Sequence, residues 1–413
     1  MHRRDRAPVL VPLLVVAALV IASPRPVSAQ GAAGEPDVSN VSMRLGPLYL
    51  KPFIGLTNLG VDTNVFNEPV DANPKRDFTF TLEPRTDLYL RMGRTWITGL
   101  IGEQVVWYQK YSTERSSNTR LQLGLLVPLN RLGVRANGAW LSTRERPGFE
   151  IDARAPRHER ALELAAEFQL LSRTYIGVRA AISRTEFDQD VFFLGRNLET
   201  ELNRTTHAQG VTVRNQLTPL TSLNFELTQS DDAFQFSPLR DSKTRALTGG
   251  VKFDQSALLK GGAQFGYRSF TPLVSGVPDF KGFTTAVDLT YVLQGSTRFT
   301  ITANRDVAYS FDVNQPYYLQ TGFNASIAQQ IFGPVDVAGH YGYSEMAYRD
   351  RTDVVVINKD RVDHVVSYGI GTGYHVGESL RIGVNVDQSK RESVIENRRY
   401  EGLKFGTSVT YGM

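Results

Sequence analysis

Apolar and polar residues alternate with a period of two along most of this chain. The alternation is clear in five segments: Phe78–Leu82, Leu121–Val127, Leu162–Leu170, Phe283–Leu293 and Leu380–Val386. Successive side chains of a β-strand point to opposite faces of the sheet, so this pattern predicts strands with one apolar and one polar face. We predict eighteen strands, at residues 47–58, 78–91, 95–109, 118–128, 132–143, 158–171, 174–186, 205–217, 221–230, 243–254, 258–270, 280–293, 297–310, 315–331, 334–347, 362–375, 379–390 and 399–412.

The connections between these strands alternate between short and long. Turns of a few residues, such as those at Gly93 and Gly333, alternate with longer polar segments such as 144–157 and 187–204. Outer-membrane barrels have this rhythm, with tight periplasmic turns and longer external loops. Backbone groups inside a bilayer must all be hydrogen-bonded, which restricts membrane-spanning structures to helices and closed barrels. The predicted fold class is therefore all-β: a transmembrane antiparallel β-barrel of about 18 strands with both termini in the periplasm.

The first residues have the three-part pattern of a secretory signal peptide. A basic start precedes the apolar run Val9–Ala22, and Ala29 ends a small-residue cleavage pattern before Gln30. The apolar run is shorter than the ~20 residues that a membrane-spanning helix needs. We predict three segments: a signal peptide at 1–29, a periplasmic N-terminal tail at 30–46 and the barrel at 47–413. The predicted location is the outer membrane, reached after the signal peptide is cleaved.

The charge balance changes once this segment is removed. The chain has 46 basic and 42 acidic residues, of which residues 1–29 hold four basic and one acidic, leaving 42 basic and 41 acidic. So small a basic excess does not indicate a nucleic-acid surface, and we expect no nucleic-acid partner. The chain has no cysteine, which excludes disulfides, thiolate metal sites and cysteine nucleophiles.

Catalytic chemistry finds little support in the sequence. His340 and Ser344 share one face of a predicted strand, but four residues of strand separate them by roughly 13 Å, too far for a hydrogen bond. Acidic loop residues such as Asp188 and Asp190 are typical of a solvated surface. We therefore predict no catalytic residues, no cofactor and no metal site.

Charged residues recur on the less apolar face of the predicted strands, which would line the barrel. A dry interior could not solvate so many charges, and about 18 strands are enough to enclose an aqueous channel. The alternative is a lumen of mutually paired charges that loops fill. Arg184, Arg245 and Arg305 fall on the outward face, and we place them at the external rim. The predicted pore-lining residues are Lys51, Glu83, Arg85, Asp87, Arg91, Arg120, Arg135, Glu163, Glu167, Arg179, Arg214, Glu226, Lys252, Asp254, Arg268, Asp288, Arg298, Asp306, Asp336, Arg381, Asp387 and Lys404.

Aromatic residues cluster near the predicted strand ends, where membrane barrels carry interfacial girdles. The predicted girdle comprises Trp96, Trp107, Tyr108, Trp140, Tyr175, Tyr267, Tyr291, Tyr317, Tyr341, Tyr343, Tyr374 and Tyr411. The last segment, Leu403–Met413, again alternates and ends on apolar residues. We expect the barrel insertion machinery to recognise it.

One short motif adds a family resemblance. Asn64, Val65 and Phe66 follow the first predicted strand, and a second strand follows at Phe78–Leu90. With hairpins continuing to a C-terminal alternating strand, this order resembles the outer-membrane β-barrel porins of type 2. That family includes barrels encoded with exopolysaccharide biosynthesis systems. The resemblance implies a barrel that serves polysaccharide export and carries no catalytic residues.

These observations favour an outer-membrane channel that assists export of an extracellular polysaccharide. The alternatives are a general diffusion porin for small hydrophilic solutes and, from other classes, an outer-membrane hydrolase or a loop-plugged structural barrel. The expected partners are outer-membrane lipid and lipopolysaccharide, the insertion machinery at the C-terminal strand, the polysaccharide itself and periplasmic export components.

Overall fold

The computed structural model describes residues 36, 38, 41–254, 257–377 and 379–412. Within these ranges the chain forms eighteen long strands, which we number β1–β18. They are Leu48–Asp62 (β1), Asp77–Met92 (β2), Thr95–Tyr108 (β3), Ser116–Pro128 (β4), Leu132–Thr143 (β5), Arg157–Gln169 (β6), Thr174–Phe187 (β7), Arg204–Thr218 (β8), Thr221–Phe234 (β9), Ser242–Phe253 (β10), Leu259–Pro272 (β11), Phe280–Leu293 (β12), Thr297–Tyr309 (β13), Tyr317–Phe332 (β14), Val335–Arg349 (β15), Val362–Val376 (β16), Leu380–Glu392 (β17) and Tyr400–Tyr411 (β18). The predicted signal peptide and its cleavage site lie outside the described residues.

These strands form one antiparallel sheet that closes on itself. Each strand pairs with the next along the chain, and β1 pairs with β18 to close the barrel. The ladder between β1 and β18 is interrupted by a bulge between Leu56 and Leu59. Asn58, inside the bulge, has φ +52°, a left-handed conformation that asparagine tolerates. Because pairing resumes after the bulge, β1 runs to Asp62, past the end predicted at residue 58. The predicted fold class, a closed antiparallel barrel of eighteen strands, is confirmed over the described residues.

The outer face of the barrel is apolar around its middle. Leu123, Leu227 and Ile370 are among many large apolar side chains that are exposed on this face. Their neighbours along each strand point to the interior. A surface of this kind is stable when hydrocarbon covers it, as in an outer-membrane barrel.

The two ends of the barrel differ. The connections at one end have two to five residues, and those at the other have seven to sixteen. We call these the short-turn end and the long-loop end. Gly93 and Gly333, with φ +64° and +46°, lie in short turns, where a left-handed residue matches the twist of the paired strands. That the short-turn end, with both chain termini, faces the periplasm stays a prediction.

Several small elements accompany the barrel strands, among them a two-stranded ladder of Phe192–Phe193 with Arg196–Asn197. The segment Met43–Leu45 pairs with the start of β1 as a hairpin around Gly46, at the end of the stretch predicted to be a periplasmic tail. In the loop between β7 and β8, Leu198–Leu202 forms a short helix, α1, whose N-cap is the Asn197 side chain. None of the helices that the described residues form has the length and apolarity to cross a bilayer.

Part of the predicted aromatic girdle is wrong. Trp96 is only 1% exposed and faces the interior, where the Tyr49 ring lies 6.1 Å from it. Tyr108 and Tyr317 are also buried at the long-loop end. The Tyr175 ring lies inside the wall beneath the Arg214 guanidinium, 3.8 Å from the ring centroid. Closeness to a strand end does not determine which face a residue takes. The strand register puts Trp96, Tyr108 and Tyr175 inward, whereas Tyr317 shares the face of exposed Phe323 and is covered by Phe270 and Phe280.

Candidate functional site

The inner wall of β6–β9 carries a ladder of ion pairs. Glu167 on β6 accepts two hydrogen bonds from Arg214 on β8, from Nε at 2.9 Å and from Nη2 at 2.7 Å. Arg179 on β7 donates to Glu226 on β9 and, at 3.4 Å, to Glu163 on β6. Each of these guanidinium groups therefore has a carboxylate partner two strands away, across the strand that lies between them.

A second group of ion pairs lies on the wall of β15–β18. Asp336 is fully buried and accepts from Nε and Nη2 of Arg381 at 2.8 and 2.7 Å. The Nε2 atom of His375 lies 2.8 Å from the same carboxylate. Nearer the long-loop end, Lys404 lies 3.3 Å from Asp62. On this part of the wall, too, each of these carboxylates has a basic partner.

The other residues predicted to line a pore share the inner face. Strand register or direct contact places there Lys51, Glu83, Arg85, Asp87, Arg91, Arg120, Arg135, Lys252, Arg268, Asp288, Arg298, Asp306 and Asp387, and Asp254 directly follows β10. Several are close to an opposite charge: Arg268 lies 2.9 Å from Asp306, and Lys51 is paired with Asp87 across β1 and β2. The inner face is thus charged, but its charges are largely arranged as pairs. That these residues contact a solute stays a prediction.

The loop between β5 and β6, residues 144–156, reaches across the long-loop end, and we call it the crossing loop. Its Glu150 accepts a hydrogen bond of 2.6 Å from Ser310 Oγ, in the loop after β13. Its backbone at Phe149 and Glu150 accepts from Arg391 on β17 and from Arg398 before β18, respectively. These partners lie on walls that are separated from β5 and β6 by several strands in each direction. The crossing loop therefore spans the interior rather than standing outside the barrel.

Buried arginines hold the crossing loop in place. Arg391 donates to Asp152 of the loop at 3.2 Å and to Asp363 on β16 at 2.6 Å. Asp363 also accepts two hydrogen bonds from Arg361, whose guanidinium lies over the Tyr348 ring. We call Glu150, Asp152, Arg240, Arg361, Asp363, Arg391 and Arg398 the latch.

Arg240 connects the latch to another loop. It donates to Glu201 of α1 at 2.7 Å and to the Ser310 carbonyl at 2.8 Å. Burial is the largest influence on the pKa of three latch residues. It raises the pKa of Glu150 and lowers the pKa of Arg240 and of Arg398. The latch therefore places several ionisable groups where water cannot fully solvate them.

An apolar cluster lies beside the latch. Its buried members come from the crossing loop, from the β7–β8 loop with α1, from the loop after β13 and from the ends of β7 and β9: Ile151, Ala155, Phe187, Phe193, Leu198, Leu202, Phe234 and Phe311. Burial of apolar surface gives these loops a reason to fold inward. The long-loop end is consequently a small packed core and not a set of solvated loops.

A family model described as "Putative beta-barrel porin 2" matches residues 35–412. The chain belongs to this porin family. No curated protein matches its sequence.

Solved structures match this chain at low sequence identity. OpdK from Pseudomonas aeruginosa is 8% identical, with a TM-score of 0.46, over 88% of this chain and 98% of that one. OccAB4 from Acinetobacter baumannii is 10% identical, with a TM-score of 0.46, over 88% and 97%. The FrpB iron transporter from Neisseria meningitidis, F3-3 variant, is 9% identical, with a TM-score of 0.40. That match covers 83% of this chain and 62% of the transporter, so the porin spans less than two thirds of the transporter's length.

The Asn64-Val65-Phe66 motif of the porin fastens its first long loop. The Asn64 side chain donates to the carbonyls of Glu68 and Glu401 at 2.8 and 2.9 Å and accepts from the Glu68 amide. Val65 is fully buried, and its carbonyl accepts from Arg146 of the crossing loop at 2.9 Å. The motif thus joins the loop to β18 and to the crossing loop, a structural role that the sequence did not reveal.

The sequence did not single out the latch residues of the porin. All of them except Asp363, which lies in the strand predicted at 362–375, occur in segments that were predicted to be polar loops. Apolar residues in those segments, such as Ile151 in 144–157 and Phe193 and Leu198 in 187–204, were the available signal that the loops fold inward.

His340 and Ser344, the pair considered for hydrolysis, both lie on the inner wall of β15. His340 Nε2 lies 3.7 Å from Asp387, and the buried Ser344 hydroxyl has no hydrogen-bond partner among the described residues. Among all the residues that the structure describes, no three His, Asp or Glu side chains are arranged to hold a metal ion.

Proposed function

We propose that this porin-family barrel is an outer-membrane channel that assists export of an extracellular polysaccharide. The observation that carries the proposal is the charge-compensated inner wall, with ion pairs on β6–β9 and again on β15–β18. Paired charges attract water but create little net potential, so they neither concentrate nor repel ions of one sign. Such a wall suits a hydrated polymer with little charge better than it suits selection of small ions.

Closure by the crossing loop fits the same function. A pore wide enough for a polymer would let small solutes escape if it stayed open. Glu150 and Arg391 hold the loop across the interior, and release of these contacts would open the path. A loop-plugged structural barrel would have the same contacts but would not conduct when they are released.

The proposal includes a direction of transport. The short-turn end faces the periplasm and receives the polymer from periplasmic export components, while the long-loop end opens outside the cell. The insertion machinery recognises β18 during assembly.

Deletion of the gene tests this function. We expect less polysaccharide at the cell surface and accumulation of the polymer in the periplasm, both restored by the wild-type chain. Unchanged secretion would overturn the proposal.

Conductance in planar bilayers distinguishes the export channel from a general diffusion porin. A wide, steady conductance that added polysaccharide neither blocks nor alters would indicate a general diffusion porin.

A further inference from the structure

Three residues that lie opposite one another on β10–β12 form a row across the outer face at the long-loop end. We call this row, Arg245, Ser269 and Lys281, the basic rung. Arg245 on β10 lies opposite Ser269 on β11, and Ser269 lies opposite Lys281 on β12. Both cationic residues are exposed, and neither forms an ion pair within the described part of the chain. Two strand spacings, roughly 10 Å, separate their backbones. Side chains of this length can therefore bring both charges over the Ser269 hydroxyl.

An apolar rung lies directly below this basic rung, toward the middle of the barrel. Leu247, Tyr267 and Phe283 face one another on the same three strands. They are 59%, 49% and 72% exposed, and the Tyr267 ring packs edge-on against Phe283 with centroids 5.8 Å apart. The two rungs are separated by two residues, about 7 Å along each strand. The outer surface thus changes from cationic to apolar over the length of a lipid headgroup.

Further basic residues flank the rung. Lys243 is exposed two residues nearer the end of β10, opposite Asp231 on β9. Arg305 on β13 donates from Nε to the Phe283 carbonyl at 3.2 Å. The five charged side chains of this outer surface are therefore four cations and one carboxylate.

The outer surface of β15–β17 at the same end has the opposite character. Glu345 and Glu392 are exposed there, and Lys390 is held by Glu392 at 2.8 Å. The exposed cation on β15–β17 therefore already has a carboxylate partner, whereas Arg245 and Lys281 have none among the described residues.

We propose that Arg245, Ser269 and Lys281 bind the phosphate of a lipid headgroup, and that the acyl chains of this lipid lie along Leu247, Tyr267 and Phe283. Guanidinium, ammonium and hydroxyl groups are donors that suit phosphate oxygens. Basic side chains at a membrane interface attract anionic lipids. A free phosphate would have no use for the apolar rung, so the occupant is an amphiphile. With the long loops outside the cell, it is the phosphorylated lipid A part of lipopolysaccharide.

Native mass spectrometry of the purified barrel with lipid A tests this site. The probes are lipid A with two phosphates and lipid A from which the phosphates have been removed. In a double variant, Arg245→Gln with Lys281→Gln, we expect the Kd for phosphorylated lipid A to rise about tenfold or more, since two charged hydrogen-bond donors are lost. Binding of the phosphate-free lipid should not change. Lys281→Arg should keep most of the affinity, because it retains the positive charge.

Lys390→Gln is the matched control, since Lys390 is an exposed cation at the same end that already has a carboxylate partner. We expect it to leave the Kd unchanged. Retained mobility of the unheated barrel in a denaturing gel verifies that each variant folds. Three results would overturn the proposal: wild-type affinity in the double variant, equal losses in the double variant and Lys390→Gln, or displacement of lipid A by an equal concentration of inorganic phosphate.

Discussion

At the scale of single residues, the stability of a buried charged group depends on how many hydrogen-bond donors or acceptors surround it. Asp336 is fully buried and still acts as a carboxylate acceptor, because Arg381 and His375 direct three nitrogen atoms at it. Glu150 is equally enclosed but has two hydrogen-bond donors for its carboxylate, Ser310 Oγ and the Phe311 amide. These two carboxylates therefore respond differently to substitution.

Replacing Asp336 should destabilise the barrel. In Asp336→Leu, Arg381 loses its partner, and an uncompensated charge in a largely buried position costs about 3 kcal/mol of unfolding free energy. Urea unfolding in detergent, followed by tryptophan fluorescence, measures this cost. The double variant Asp336→Leu with Arg381→Leu leaves no unpaired guanidinium and should lose less stability. A loss in the double variant equal to or greater than the loss in the single variant would contradict this account.

Closure of the crossing loop should depend on pH through Glu150. Burial raises the pKa of Glu150 above its ordinary value of 4.5. A raised pKa means that the docked crossing loop favours the neutral form of Glu150. The contribution of Glu150 to docking of the loop is complete below about pH 4.5 and is lost as pH rises through the raised pKa.

We therefore expect the open fraction in planar bilayers to increase with pH in this window. Glu150→Gln, which is neutral at every pH, should flatten the response. An unchanged pH response in this variant would show that another group controls closure.

At the scale of elements, the long connections divide into loops that enter the barrel and loops that stand outside it. The crossing loop buries Ile151 and Ala155 in the apolar cluster. The loop between β15 and β16 does the opposite at its tip, where Val355 and Ile357 are 92% and 95% exposed. Both loops join neighbouring strands, so only their contacts distinguish them.

Shortening these two loops should have different effects on conductance. Replacing residues 148–154 with a short Gly/Ser linker removes Glu150 and Ile151 from the interior, and we expect a several-fold larger single-channel conductance. Removing residues 354–357 is the matched control, because this tip lies outside the interior, and should leave conductance at the wild-type level. Equal conductance in the two variants would contradict closure by the crossing loop.

At the scale of the whole molecule, the barrel depends on the seam between its first and last strands. Gly60 on β1 has no room for a side chain, since a Cβ atom there would lie 1.9 Å from the Phe405 carbonyl oxygen on β18. Gly138 on β5 is a useful contrast, because a Cβ atom there would meet no heavy atom within 4 Å.

Gly60→Ala should therefore impair closure. We expect most of the refolded protein to lack the mobility of a folded barrel in an unheated denaturing gel, whereas Gly138→Ala should fold as the wild type does. If both variants gave the same folded yield, the close approach at Gly60 would not limit closure.

The sequence by itself determined the strands, their number and the face that each charged residue takes. These features are local: the period of two follows from strand geometry, and turns are short enough to be recognised from their own residues. Arg214 and Glu167 could be placed on the inner face in this way, although their mutual contact could not. The position of Asn64-Val65-Phe66 after the first strand was also visible, but not what the motif holds.

Only the tertiary structure decided how the long-loop end is closed, which aromatic residues face inward and which outward cations share a rung. Arg391 contacts Phe149 across 242 positions of the chain, and Arg245 shares a rung with Lys281 across the intervening strand β11. Such contacts depend on the register of every strand between the partners and on closure of the sheet. No local pattern of hydrophobic and polar residues encodes them.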